Sequence, residues 1–131
     1  MIRRCAALLL ERQEEIARDI TLEHRKRLHE ARIEVIRGAG FFEWGAGEAR
    51  RTYGRVIPTP PGETFTVRHR PIGVVAGISP WNFPVSQPPR KISGALASSC
   101  SLILKAVEET PARATVCLIW CLAILPKSPA I

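Results

Sequence analysis

No ligating residues in this chain are spaced for a metal. The four cysteines, Cys5, Cys100, Cys117 and Cys121, form no Cys-x-x-Cys pair, and the i,i+4 pair at 117 and 121 has no histidine near it in sequence, so the usual zinc patterns are missing. An export signal is missing too. Arg3-Arg4 precede an apolar run, Cys5 to Leu10, that stops at Glu11 without a small-residue cleavage site, which suits a helix better than a leader. A second apolar run, Ala114 to Leu125, falls well short of the ~20 residues that span a bilayer. The expectation is a cytoplasmic protein with reduced thiols and no membrane partner.

Clustered charge is also scarce. The net charge of +7 is spread thinly: residues 1–37 carry nine Lys/Arg against seven Asp/Glu, 38–70 five against three, and 71–131 five against two. The densest run, His24-Arg-Lys-Arg27, sits among acidic residues on a predicted helix. A nucleic-acid surface wants clustered cations with stacking aromatics between them, so a solvated helix face is the reading and no nucleic-acid partner is expected. At 131 residues and 46% hydrophobic content, the chain can bury the core of one small domain.

Within those bounds, Ile2, Ala6, Leu9, Ile16 and Ile20 recur at helical spacing and predict an amphipathic helix over about 2–20. A second apolar stripe runs through Leu28, Ala31, Val35, Ala39, Phe42, Ala46, Ala49 and Tyr53. It persists despite Gly38, Gly40, Gly45 and Gly47, each of which weakens a helix by up to ~1 kcal/mol relative to Ala. Gly38-Ala-Gly40 imitates a dinucleotide fingerprint, but Glu43 occupies the third glycine's place and no strand precedes it. Close helix packing explains these small residues better.

Pro58-Thr-Pro-Pro-Gly62 ends the helical region, and Glu63 to Arg68 alternates as a half-exposed strand or hairpin arm does. Gly73 to Ile78 and Ser101 to Leu104 are continuous apolar runs, which predict strands covered on both faces. Between them Pro88 and Pro89 suit the first turn of a helix that stops at Ser98-Ser99. The unit is a right-handed β-α-β with parallel strands, and Thr110-Pro111 opens a further helix.

Open parallel sheets bind ligands beyond their carboxyl strand ends, and two such ends carry polar groups here. The first releases Ser79-Pro-Trp-Asn82, with Pro80 and Pro84 fixing the backbone so that the Asn82 carboxamide can be aimed as a neutral donor to an oxyanion. The second releases Lys105-Ala-Val-Glu108, a cation and a carboxylate suited to hydroxyl or phosphate oxygens and to ribose hydroxyls.

Arg70 to Pro84, with its Pro80-Trp-Asn82, and Ser101 to Pro111, with Lys105, Glu108, Thr110 and Pro111, resemble the start of the coenzyme domain in NAD(P)-dependent aldehyde dehydrogenases. Thr21 to Arg32 is similar to that family's Thr-Leu-Glu-x-Gly-Lys-x-x-x-Glu-Ala-x segment, which makes His24 and Arg25 to Arg27 surface residues. The likeness covers about residues 2–113 and is nearest the succinate-semialdehyde dehydrogenase branch. It implies an α/β fold: N-terminal amphipathic helices over 1–57, a linker and strand arm over 58–72, and the first β-α-β unit of an incomplete Rossmann-like coenzyme domain over 73–113. The remaining 114–131 form a divergent apolar tail that suits a frameshifted coding region or a buried helix.

By resemblance, Asn82 helps form the oxyanion hole, Ile78, Ser79, Pro80 and Trp81 line the coenzyme cleft, and Lys105 and Glu108 contact the adenosine ribose. Glu108 implies NAD rather than NADP, since a carboxylate repels a 2′-phosphate. Ala106 departs from the proline common there. The implied reaction oxidises a small aldehyde to a carboxylic acid in a homo-oligomer. The nucleophilic cysteine, the base and the glycine-rich turn all lie further along the family's sequence, and Cys100 reads as a structural thiol. The expectation is thus an inactive fragment. Two rivals are an interaction module that binds a full-length relative and a free-standing nucleotide-binding domain.

Overall fold

The computed structural model describes residues 1–105 and Glu108. Ala106, the helix expected at Thr110-Pro111, and the apolar tail with Cys117 and Cys121 lie outside the described residues. The stripe over 2–20 is realised as two helices, α1 (Ile2–Glu11) and α2 (Gln13–His24), broken at Arg12 where φ is −109° and ψ 22°. The break lets two short apolar faces, Ile2, Cys5, Ala6 and Leu9 on α1 and Ile16, Ala17 and Ile20 on α2, pack on one long helix, α3 (Leu28–Glu48). Arg32 of α3 also donates to both oxygens of Glu14 at 2.7 and 2.8 Å. That bond holds the Glu14 carboxyl below the usual carboxylate range and raises Arg32, but an exposed pair adds little stability.

The α3 stripe ends earlier than its periodicity suggests, since the helix stops at Glu48 and Tyr53 is exposed. It also holds a charge: Glu34 is buried between Ala31 and Val35 on the inner face. Helix α4 (Gln87–Ala97) starts with Pro88 and Pro89 in its first turn, as expected, and Val85 and Ile92 join the core beneath α1 to α3. The four glycines of α3 divide into two kinds. A Cβ at Gly38 would come within 2.9 Å of the Val85 carbonyl, and one at Gly45 within 2.7 Å of the Ser93 Cβ, whereas at Gly40 and Gly47 it would meet nothing.

An arm follows α3. Strand β1 (Arg55–Ile57) pairs antiparallel with β2 (Phe65–Val67), Val56 opposite Thr66. Strands β3 (Val74–Ile78) and β4 (Ser101–Lys105) then pair in parallel on either side of α4 in the chain, which confirms the β-α-β unit. Coverage on both faces does not hold among the described residues. Residues alternate along both strands between exposed and partly or fully buried, with Val74, Ile78 and Ile103 exposed, because α4 packs on only one side of the sheet.

The glycines make a test with opposite signs. Gly40→Ala and Gly47→Ala should each raise stability by up to ~1 kcal/mol through helix propensity alone. Gly45→Ala should instead lower it by about 1–3 kcal/mol through overpacking against Ser93. Urea midpoints compared across the three variants read the difference, and a stabilised Gly45→Ala would remove the close-packing explanation.

Candidate active site at the strand ends

The parallel register sets Ile78 of β3 opposite Lys105 of β4, so both carboxyl strand ends open on the same side. From the first comes Ser79, whose buried hydroxyl has no hydrogen-bond partner among the described residues. Trp81 and Asn82 follow, both exposed. From the second come the Lys105 ammonium and the Glu108 carboxylate, paired at 3.5 Å and both open to solvent. The expected site residues therefore gather at one edge, and no described side chain hydrogen-bonds the Asn82 carboxamide.

Two residues assigned above to the solvent, Lys26 and His24, help hold the corner in place, whereas Arg25 and Arg27 are exposed as expected. Arg25, Lys26 and Arg27 form the turn between α2 and α3 rather than part of a helix, and Lys26 is no surface residue: its side chain is 11% exposed and pairs with the buried Glu34 carboxylate. The same ammonium donates to the Asn82 carbonyl at 2.9 Å and lies 4.3 Å from the centre of the Phe83 ring. The other Glu34 oxygen accepts from the Val85 and Ser86 backbone amides at 2.8 and 3.2 Å, just ahead of α4. His24 is half-buried, its ring 5.5 Å from that of Trp81 and its shielded nitrogens unpartnered among the described residues. Lys and Glu eight apart, spanning a turn, gave no periodic signal; a carboxylate inside an apolar stripe was the one clue.

Cys100 lies at the opposite, amino-terminal end of β4 from the corner. Five residues of strand separate it from the site by about 15 Å. It is 7% exposed and its thiol faces the Ser98 carbonyl at 3.5 Å, which agrees with a structural role. A cavity of about 640 Å³ beside β3, bordered by Ile72, Val75, Ile78, Lys91 and Cys100, includes Ile78 alone of the expected coenzyme residues. Burial holds the Lys91 ammonium below the ordinary lysine range, and neighbouring Arg90 adds to this. On the other side of α4, a groove of about 590 Å³ against α3 is lined by Arg37, Phe41, Trp44 and Arg90, with the Arg90 guanidinium 5.6 Å from the Phe41 ring centre.

The profile of the aldehyde dehydrogenase family matches residues 1–128. The chain belongs to the aldehyde dehydrogenase family. It is 50% identical over 112 residues to a 4-(hydroxymethyl)benzenesulfonate dehydrogenase of Comamonas testosteroni, covering 85% of this chain and 24% of that protein. Other relatives are a 3-sulfolactaldehyde dehydrogenase of Pseudomonas putida, 44% identical over 115 residues, 87% of this chain and 24% of that protein, and semialdehyde dehydrogenases. The solved succinate-semialdehyde dehydrogenase of Burkholderia pseudomallei superposes with a TM-score of 0.89 at 37% identity, over 96% of this chain and 27% of that one. The chain thus spans about a quarter of the aldehyde dehydrogenases it matches, as their N-terminal part. Among the matching structures are ones solved with NAD and with NADP. No described helix is long and apolar enough to cross a membrane.

The turn before Lys26 is a second place, besides Ala106, where this chain departs from the segments it resembles. Arg25 stands in place of the glycine and adopts φ 55°, a left-handed conformation costly for any residue with a Cβ. Arg25→Gly should therefore raise stability by about 1 kcal/mol, seen as a higher urea midpoint. A lower midpoint would show that the arginine side chain contributes more than its backbone strain costs.

Proposed function

We propose that residues 78–108 supply the oxyanion donor and part of the coenzyme cleft for NAD-dependent oxidation of an aldehyde to a carboxylic acid. The carrying observation is the register that brings the Asn82 corner and the Lys105–Glu108 pair to one end of the sheet. When a thiolate attacks the carbonyl, negative charge grows on oxygen, and the Asn82 amide N–H can donate to it while the backbone stays fixed. The residues fit a nicotinamide dinucleotide in part: the Ser79 hydroxyl is buried without a described partner, and Glu108 can accept from ribose hydroxyls with Lys105 beside it. Ser79, Lys105 and Glu108 would help hold the dinucleotide, which would supply an acceptor for the hydride leaving the substrate carbon. A carboxylate at 108 favours NAD over NADP by repelling a 2′-phosphate.

The relatives' names indicate the substrate class. Sulfonate and carboxylate groups recur in them at the end of the molecule away from the reacting carbon, and the α3–α4 groove offers Arg37 and Arg90 over an apolar floor of Phe41 and Trp44. A small aldehyde with an anionic far end suits that lining. The exposed apolar residues Tyr53, Val56, Phe65 and Ile72 along the arm favour a second role in subunit contact, which accords with a homo-oligomer.

The test is a hybrid in which residues 1–108 replace the equivalent segment of the Burkholderia succinate-semialdehyde dehydrogenase. It should oxidise succinate semialdehyde, and a hybrid without turnover would overturn the reading. Asn82→Ala should lower kcat by about 10²-fold, or ~3 kcal/mol, with little change in NAD affinity. Lys105→Ala and Glu108→Ala should raise the apparent KM for NAD and leave kcat at saturation nearly intact. The 131-residue chain alone should form no NADH with aldehyde, since Cys100 is remote from the strand ends; turnover abolished by alkylating Cys100 would contradict its structural role.

A further inference from the structure

We propose that Lys26 and Glu34 act as positioning residues for Asn82, a charged clamp that fixes the direction of the oxyanion donor without touching substrate. The proposal rests on the reading of Asn82 as donor. Asn82 is exposed and its carboxamide has no described partner, so its aim depends on where its own backbone is held. That backbone is held from two sides. Lys26 grips the Asn82 carbonyl at 2.9 Å, and Glu34, bonded to Lys26, grips the amides of Val85 and Ser86 three and four residues on.

Both charges are withdrawn from solvent, Glu34 to 1% and Lys26 to 11% exposure. A buried ion pair is a poor means of adding stability, because well-packed apolar residues of similar volume usually do as well or better. What an apolar pair cannot do is bind a carbonyl and two amides of one corner at once. Pro80 and Pro84 limit the φ of the corner but leave its rigid-body tilt relative to α3 open; the clamp removes that freedom. A shift of about 1 Å in a catalytic group costs on the order of 10²-fold in rate, so a loosened corner should be visible in kcat.

The experiment uses the hybrid enzyme described above and a double-mutant cycle. Lys26→Met should lower kcat about ten- to a hundredfold while the KM values for aldehyde and NAD stay within about twofold. Lys26→Arg, which keeps a cation and its donors, should recover most of the loss. In the Asn82→Ala background, Lys26→Met should cause almost no further loss, because the group it aims is gone. Glu34→Gln should behave like Lys26→Met; if it gives no soluble protein, the two Lys26 variants carry the test. Equal losses with and without Asn82 would make Lys26 merely structural and overturn the proposal, as would an unchanged kcat for Lys26→Met where Asn82→Ala is impaired. An unimpaired Asn82→Ala would instead overturn the donor reading itself.

Discussion

A carboxylate inside an apolar helix face is the constraint on which the rest of this structure depends. Isolated, an ionised Glu34 would cost several kcal/mol to bury, so the fold must bring it donors, and every donor it receives belongs to another element. Lys26 comes from the α2–α3 turn, and the Val85 and Ser86 amides come from the residues ahead of α4. These amides would otherwise be unsatisfied at a helix N-terminus, where a negative charge is also favoured by the helix dipole. One residue thereby fixes how the helical layer meets the β-α-β unit.

Close approach of the backbones makes that meeting possible. Gly38, one turn beyond Glu34 on α3, lets the Val85 carbonyl sit where a Cβ would be, and Gly45 does the same for Ser93 two turns further. The absence of side chains at these two positions and the carboxylate at a third are parts of one interface, since the Glu34 oxygens reach the amides only if α3 lies this close to α4.

Much of this was legible in the sequence, and the misses have physical causes. Helical spacing identified the buried face of α1 and α2 but not the break at Arg12, because a kinked pair and a straight helix bury the same residues, Ile2, Leu9, Ile16 and Ile20 among them. The prolines of α4, the parallel strands and the gathering of Asn82, Lys105 and Glu108 at one edge followed from local patterns and a resemblance. Lys26 and His24 were placed in solvent because a run of four basic residues looks solvated, and only tertiary contact with a corner more than fifty residues away withdraws them. Strand β1 escaped notice because Pro58 follows it directly and three residues give no periodicity. The glycines of α3 looked alike in sequence, yet two face neighbours and two face open space.

The way the corner is anchored also bears on how a site can be both rigid and chemically open. Lys26 and Glu34 bind main-chain atoms, the Asn82 carbonyl and the two amides after it, rather than the side chains that face the strand ends. Among the described residues Trp81 is steadied by ring contact with His24, and the Lys105–Glu108 pair, exposed at 3.5 Å, costs little to separate when a ligand offers better partners. Anchoring through the backbone places the expensive, desolvated charges behind the corner, where a ligand need not displace them. The groups left at the mouth are neutral or weakly paired, so a ligand can bind there without first breaking a strong internal bond.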